Sequence, residues 1–145
     1  MFKKLLSFAL CFALLSIGSI QFSSNVVALE ASPYYNNTAT ARSTANVSSA
    51  GKLTITNSYV GIRDVTTHAT ITTYIEKKTF FFFWSKVENG QPDDQWIDNI
   101  YNYTYTGNHT LQLPSTGTYR ITVVYCIYGS GGSADVIEKE IEVEY

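Results

Sequence analysis

The sequence predicts an all-β fold, a single antiparallel β-sandwich. From Lys52 onward, apolar and polar residues alternate with a period of two, as in Lys52–Thr56 and His68–Glu76. This alternation of β-branched and aromatic residues is typical of half-buried strands. Turn signals rich in Gly, Asn and Pro separate the alternating segments, and no segment shows a helical period. Six or seven short strands at this spacing favour two packed antiparallel sheets.

Two segments precede the predicted sandwich, which occupies residues 51–145. Residues 1–28 begin with a pair of lysines, continue through an apolar stretch and end in Val-Val-Ala, which is the pattern of a cleaved signal peptide. An uncleaved membrane anchor is the alternative, because the apolar stretch approaches the minimum spanning length of about 17 residues. Residues 29–50 are rich in Thr, Ser, Ala and Asn without periodic aliphatic residues, so we expect a flexible spacer. The protein is therefore expected to be secreted.

The predicted strands follow one another at short intervals. Leu53 and Ile55 mark the first, Ile71 and Ile75 the second, and the others follow with Asn-Gly, Gly-Asn, Pro-Ser-Thr-Gly or Gly-Ser-Gly-Gly turns nearby. These later strands are Ile97–Tyr105, Thr110–Leu113, Tyr119–Tyr128 and Val136–Tyr145.

Charge and cysteine content narrow the classes of partner. Two lysines lie in the predicted signal peptide, which leaves eight basic and twelve acidic residues and a net charge of −4. This charge, without a basic cluster, argues against nucleic acid or anionic lipid as an electrostatic partner. Removing the signal peptide also removes Cys11, so Cys126 has no intramolecular disulfide partner. Stability must then come from an apolar core.

One local pattern resembles the immunoglobulin family. Leu113–Ile121 resembles the L-x-x-x-G-x-Y-x-C run before strand F, with Tyr119 at the tyrosine-corner position and Ile121 at the second cysteine position. Counting back places Trp84 at the strand-C tryptophan and Ile71 at the strand-B cysteine. The chain has no cysteine at either of these two family positions. It resembles small secreted Gram-positive bacterial proteins of unknown function. The resemblance implies an immunoglobulin-like sandwich of about seven strands, with Trp84 and Tyr119 as structural residues, and it implies no activity.

The run Phe80-Phe81-Phe82-Phe83-Trp84 has two interpretations. It is either a central core strand, with Trp84 filling the interior, or a hairpin tip at Thr79–Phe83 that exposes its phenylalanines. Exposed contiguous aromatic residues mark a contact surface for protein, lipid or ligand. Phe81, Phe82 and Phe83 are therefore candidate contact residues.

Two further groups are candidate sites. Tyr101, Tyr103 and Tyr105 alternate along a predicted strand, with Trp96 upstream. Such an aromatic face would either stack on sugar rings or only cover one face of the sheet with its hydroxyl groups in water. The acidic residues Asp93, Asp94 and Asp98 lie at short spacing in a turn-rich segment, and they are either weak Ca²⁺ ligands or a solvated turn.

Catalysis finds little support. Only His68 and His109 remain as histidines, with no Ser-His-Asp or Cys-His order and too few ligands for zinc. We therefore expect a non-enzymatic module that recognises an extracellular protein. The alternatives are a carbohydrate-binding module that uses the aromatic face and a protein that contacts membranes through Phe80–Trp84. No nucleic-acid partner is expected, and no cofactor except possible weak binding of Ca²⁺.

Overall fold

The computed structural model describes residues 34–145. The predicted signal peptide and the first residues of the predicted spacer lie outside the described residues. Pro33–Tyr145 form one compact unit. Its strands are β1 (Thr38–Val47), β2 (Lys52–Gly61), β3 (Thr66–Thr79), β4 (Phe83–Lys86), β5 (Gln95–Ile100), β6 (Thr104–Gln112), β7 (Thr118–Gly129) and β8 (Asp135–Glu144). A short 3₁₀ turn, Pro92–Asp94, precedes β5.

The strands form two antiparallel sheets, which confirms the predicted all-β sandwich. The smaller sheet has the order β1-β2-β6. In the larger sheet the order is β4-β3-β7-β8, and β5 pairs with the earlier part of β3 on the same side as β4. Among the described residues there is no helix that is long and apolar enough to cross a membrane.

The core lies between the sheets and follows the period-two pattern. Alternate residues of β2, β3 and β7 point inward, because successive side chains of a strand face opposite sides. The fully buried apolar side chains include Leu53 and Ile55 of β2, Ile71 and Ile75 of β3, and Tyr119, Ile121, Val123, Tyr125 and Ile127 of β7. Cys126 lies on the opposite face of β7, half-buried and free of any disulfide.

The prediction of a flexible spacer is wrong for residues 38–47, which form β1. This edge strand pairs with β2 along almost its whole length. Its core-facing side chains are small, so they carry little hydrophobic signal: Ala41, Ala45 and Val47 pack against the core, and the Ser43 Oγ lies 2.7 Å from the Tyr125 hydroxyl. Backbone pairing orders this segment, although its apolar surface alone is too small to indicate a strand.

A buried carboxylate ties the start of β1 to β8. The Asp135 carboxylate accepts hydrogen bonds from the backbone N–H groups of Asn36 and Asn37, at 2.9 and 2.8 Å. It also accepts one from the Thr38 hydroxyl at 2.8 Å. Burial alone would raise the pKa of Asp135, but these hydrogen bonds outweigh it and hold the pKa below its ordinary value. The chain therefore enters the sandwich at a fixed point beside the β7–β8 connection.

The immunoglobulin resemblance predicts structural roles for Tyr119 and Trp84, and the structure agrees with the first position but not with the second. Tyr119 is buried, and its hydroxyl donates a hydrogen bond to the Ser115 carbonyl at 2.5 Å, the contact expected of a tyrosine corner. Trp84 does not fill the core as predicted, because it lies in β4 on the outer face of the larger sheet. The assignment of Ile71 to strand B and Trp84 to strand C is also wrong, because strands B and C of an immunoglobulin domain lie in different sheets, whereas β3 and β4 are neighbours in one sheet.

Candidate functional site

The most exposed apolar feature of the described chain is the hairpin tip between β3 and β4. We call Phe80–Phe83 the phenylalanine tip. The last backbone pair between β3 and β7 joins Lys77 to Tyr119, whereas pairing between β3 and β4 continues to Thr79 and Phe83. The hairpin therefore extends beyond the sandwich as a two-stranded ribbon, and the tip lies at its far end.

All members of the phenylalanine tip are in solvent. Phe80, Phe81 and Phe82 are 82–87% exposed, and Phe83 is 72% exposed. The rings of Phe81 and Phe82 lie 6.3 Å apart between centroids and are tilted by 45°. None of the four belongs to the core or packs against it. The core-strand interpretation of this run is therefore wrong, because the chain turns at Phe80–Phe82 before the rings can face the interior.

The backbone at Phe80 is unfavourable for its residue type. Its φ angle is +53°, in the left-handed region that bulky residues rarely adopt. Glycine or asparagine would occupy such a turn position at lower cost. A phenylalanine that neither packs in the core nor suits its backbone is not explained by the needs of folding.

Cationic side chains surround the base of the hairpin. We call Lys77, Lys78 and Lys86 the basic collar, and among residues 34–145 none of the three takes part in a salt bridge. The Lys78 ammonium lies 5.8 Å from the centre of the Trp84 ring. On the same ring the Arg120 guanidinium packs at 4.4 Å, held by a 2.6 Å ion pair with Glu76. Trp84 thus lies between cations on the outer face, directly behind the phenylalanine tip.

The predicted aromatic face of Trp96, Tyr101, Tyr103 and Tyr105 is not assembled. The predicted strand over residues 97–105 is in fact two strands, β5 and β6, in different sheets. Trp96 and Tyr105 pack against the core, while Tyr101 is 85% exposed. Because the chain crosses between the sheets at residues 101–103, the period-two spacing no longer places these rings on one side.

A shallow groove of about 490 Å³ lies beside Tyr101, at the end of the sandwich opposite the phenylalanine tip. Arg63 and Tyr103 form part of its lining, and the Arg63 guanidinium donates a hydrogen bond to the Tyr103 hydroxyl at 2.9 Å. Tyr101 itself flanks a row of stacked rings, in which His68 lies 4.5 Å from Tyr128 between centroids. Stacking covers both faces of His68, so the accessible ring faces of this row are the outer ones of Tyr101 and Tyr128.

The predicted calcium ligands do not converge. Asp93 and Asp94 lie in the 3₁₀ turn before β5, whereas Asp98 is directed toward His109 on β6. Within residues 34–145 no group of three or more acidic, histidine or cysteine side chains could hold a metal ion. The short spacing in the sequence does not bring the carboxylates together, because β5 turns Asp98 inward.

Asp98 and His109 link the two sheets at their open edge. The His109 Nε2 lies 2.8 Å from an Asp98 carboxylate oxygen, and the imidazole stacks on Trp96 at 4.9 Å between centroids. Burial, with the charge of nearby Asp98 adding to it, raises the pKa of Tyr105 to about 12. In the described part of the chain, the hydrogen bonds of His109 include no serine, threonine or cysteine partner. The pair therefore joins β5 to β6 without the nucleophile of a Ser-His-Asp arrangement.

No protein-family model, curated protein or solved structure matches this chain. The candidate site is accordingly defined by geometry alone.

Sequence reasoning missed the basic collar. The net charge of the chain is negative, and averaging over the whole sequence hides a local positive segment. A signal was present, because residues 77–87 contain three lysines and no acidic residue. The hairpin brings these lysines to the base of one projecting element, which their spacing along the chain did not reveal.

Proposed function

We propose that this protein is a secreted, non-enzymatic, immunoglobulin-like module that recognises an extracellular partner through the phenylalanine tip. The observation that carries the proposal is the exposure of four adjacent phenyl rings on a hairpin that extends beyond the sandwich. Contiguous exposed apolar residues of this kind mark interaction surfaces in folded proteins. Aromatic residues, phenylalanine included, are also enriched in the buried cores of protein interfaces.

Folding does not account for the tip. The rings make no core contact, and Phe80 occupies a backbone conformation suited to a smaller residue. An exposed apolar run is also a liability for aggregation. Departures from local sequence rules of this kind are concentrated at functional sites.

The immunoglobulin-like part of the proposal rests on strand order and on Tyr119. The sheets β1-β2-β6 and β4-β3-β7-β8 are compatible with the orders A-B-E and C′-C-F-G of that architecture. In this assignment β3 is strand C and β7 is strand F, so the tyrosine corner at Tyr119 falls at the start of strand F. Ile71, which lies in β3, then belongs to strand C and not to strand B.

The geometry around the histidines supports the non-enzymatic part of the proposal. His109 is stacked on Trp96 and paired with Asp98, and His68 is stacked on Tyr128. Within residues 34–145, the His68 Nδ1 lies 3.0 Å from the Thr67 hydroxyl without a carboxylate partner, whereas His109 is paired with a carboxylate without a hydroxyl or thiol partner. Hydrolase activity that is measured in the wild type and lost in a folded His109→Ala variant would contradict the non-enzymatic proposal.

Photo-crosslinking tests the tip directly. A photoreactive phenylalanine analogue placed at Phe82 is expected to label a partner in preparations of the cell envelope. The matched control carries the same analogue at Ile97, which is 57% exposed on the outer face of the larger sheet. Equal labelling from both positions, or none from Phe82, would show that the tip is not the recognition surface.

Glycan binding is the second candidate, and the groove beside Tyr101 favours it. An exposed tyrosine face next to a groove that contains Arg63 offers both stacking and hydrogen bonding to a sugar. Binding on a glycan array that is lost in Tyr101→Ala and retained in Phe82→Ser would support this candidate over the phenylalanine tip. A blank array would remove it.

A further inference from the structure

The basic collar gives the hairpin a charge opposite to that of the whole protein. Lys78 and Lys86 are exposed at its base and Lys77 is half-buried there, and Glu76, which lies opposite Lys86 in register, is paired with Arg120. The Lys77 ammonium donates to the Ser115 hydroxyl at 2.5 Å, and the Lys86 ammonium donates to the Asp93 carbonyl at 3.3 Å. Their positive charges therefore remain available to an anionic partner.

Apolar and cationic groups are arranged along the hairpin in a fixed order. The phenylalanine tip comes first, then Trp84 and Lys78, which are paired across the ribbon, and then Lys86. This order matches the polarity profile of a bilayer surface, where acyl chains lie below an interfacial layer and phosphate groups lie above it. Tryptophan is enriched at that interfacial level, and lysine is attracted to anionic headgroups.

We infer that the phenylalanine tip inserts into the surface of a phospholipid bilayer while the basic collar contacts the headgroup phosphates. This inference rests on the proposed function, since it names the partner of the same site. A bilayer fits better than a protein because the tip is convex, and no polar side chain interrupts the run from Phe80 to Phe83. A protein would need a matching apolar cavity, whereas fluid lipid adapts to the hairpin.

The acidic edge of the sandwich sets the orientation. Glu142 and Glu144 lie on β8, at the far edge of the larger sheet from β4. Three strand spacings separate these edges, a distance of about 14 Å. Repulsion of the β8 carboxylates from an anionic surface would tilt the sandwich so that the β4 edge approaches the membrane. The expectation that negative net charge excludes anionic lipid applies to this edge and not to the hairpin.

The test uses the compact unit, residues 33–145, because its core is complete within it. Sedimentation with vesicles of phosphatidylcholine, alone or mixed with phosphatidylglycerol, measures binding. The double variant Phe81→Ser/Phe82→Ser is expected to lower the partition coefficient for both vesicle types by about tenfold or more for each ring removed. The matched control, Ile97→Ser/Val136→Ser, changes two exposed apolar residues elsewhere and should bind as the wild type does.

A second pair of variants tests the collar. Lys78→Glu/Lys86→Glu should weaken binding to the mixed vesicles and remove their advantage over pure phosphatidylcholine. The control, Arg42→Glu/Lys139→Glu, makes the same charge change in the middle of β1 and β8, away from the hairpin, and should retain most of that advantage. Melting temperatures of all variants verify that the fold is intact.

The outcomes separate this inference from the proposed function. If the wild type binds neither vesicle type, yet a protein is crosslinked at Phe82, the bilayer inference is overturned and the recognition function stands. If the wild type binds vesicles and the serine variant binds equally well, the tip is not the inserting element and the inference is also overturned. If the tip contacts neither lipid nor protein, both proposals fail.

Discussion

Side chains at the two ends of the sandwich differ in whether they stabilise the fold. Asp135 is buried, and each of its carboxylate oxygens accepts a hydrogen bond from the segment that leads into β1. Phe81 and Phe82 are exposed, touch mainly one another and make no contribution to the core. Substitutions at these residues should therefore separate stability from binding.

Asp135→Asn is expected to destabilise the protein by about 2–3 kcal/mol, because hydrogen bonds to a charged group are lost or weakened. The wild-type contribution also depends on pH. Since the pKa of Asp135 is lower in the folded than in the unfolded protein, its contribution is complete above the ordinary value of 3.8 and decreases as the pH falls below it. Thermal melts between pH 7 and pH 2 should show a shallower acid loss in Asp135→Asn. An unchanged pH profile would contradict this role, and the exposed carboxylate variant Glu138→Gln is the control.

Phe80→Asn is expected to stabilise the protein by up to about 1 kcal/mol, because asparagine tolerates the left-handed backbone at this turn. The measurement is the midpoint of urea unfolding. Phe81→Asn is the control, since Phe81 is equally exposed but does not have a positive φ angle. A loss of stability in Phe80→Asn would mean that the ring contributes to the fold after all.

At the level of whole elements, β1 and the β3–β4 hairpin depend on different parts of the structure. The edge strand β1 is held by backbone pairing with β2 and by the contacts of Asn37 and Thr38 with Asp135. The hairpin is held only at its base, because β3 loses its β7 partner after Lys77. The first element therefore contributes to stability, and the second is free to contact a partner.

Removing residues 33–47 should destabilise the sandwich by at least about 2–3 kcal/mol, the contribution of the hydrogen bonds to the Asp135 carboxylate, because the pairing with β2 and the packing of Ala41, Ala45 and Val47 are lost as well. It also exposes the β2 backbone as an unpaired edge, which favours association between chains. A chain that begins at Ser48 is thus expected to melt at a lower temperature and to form larger species in light scattering. If it melts like the chain that begins at residue 33, residues 33–47 are a spacer as the sequence suggested.

At the scale of the whole molecule, the phenylalanine tip and the entry of the chain lie at opposite ends. The 14-residue strand β3 runs between them, a distance of about 40 Å. The core between the sheets extends along this strand and contains apolar side chains from both sheets. A rigid sandwich thus holds the hairpin away from residues 34–37.

Reduction should leave this architecture unchanged. Cys126 has no disulfide partner among the described residues, and the core provides the stability. The melting temperature of residues 33–145 is expected to be the same with and without dithiothreitol, and strong β-type circular dichroism should persist. A lower melting temperature of the reduced monomer would contradict a core-only account.

The sequence by itself determined the sandwich and its central strands. Leu53 and Ile55, Ile71 and Ile75, and the alternating run from Tyr119 to Ile127 are inward-facing because burial on one face of a sheet requires a period of two. The turn before Tyr119 was also recognisable, since its pattern is local and the hydroxyl reaches only as far as Ser115.

Only the tertiary structure decided the role of the remaining segments. Residues 38–47 form a strand because β2 offers a backbone edge, which the composition of these residues does not reveal. Trp96, Tyr101 and Tyr105 are separated because the chain crosses between the sheets. The phenylalanine run is exposed because β3 continues beyond Lys77, its last residue paired with β7, so no opposing sheet covers the rings. Local patterns specify which face of a strand is apolar, whereas the partner strands decide whether anything covers that face.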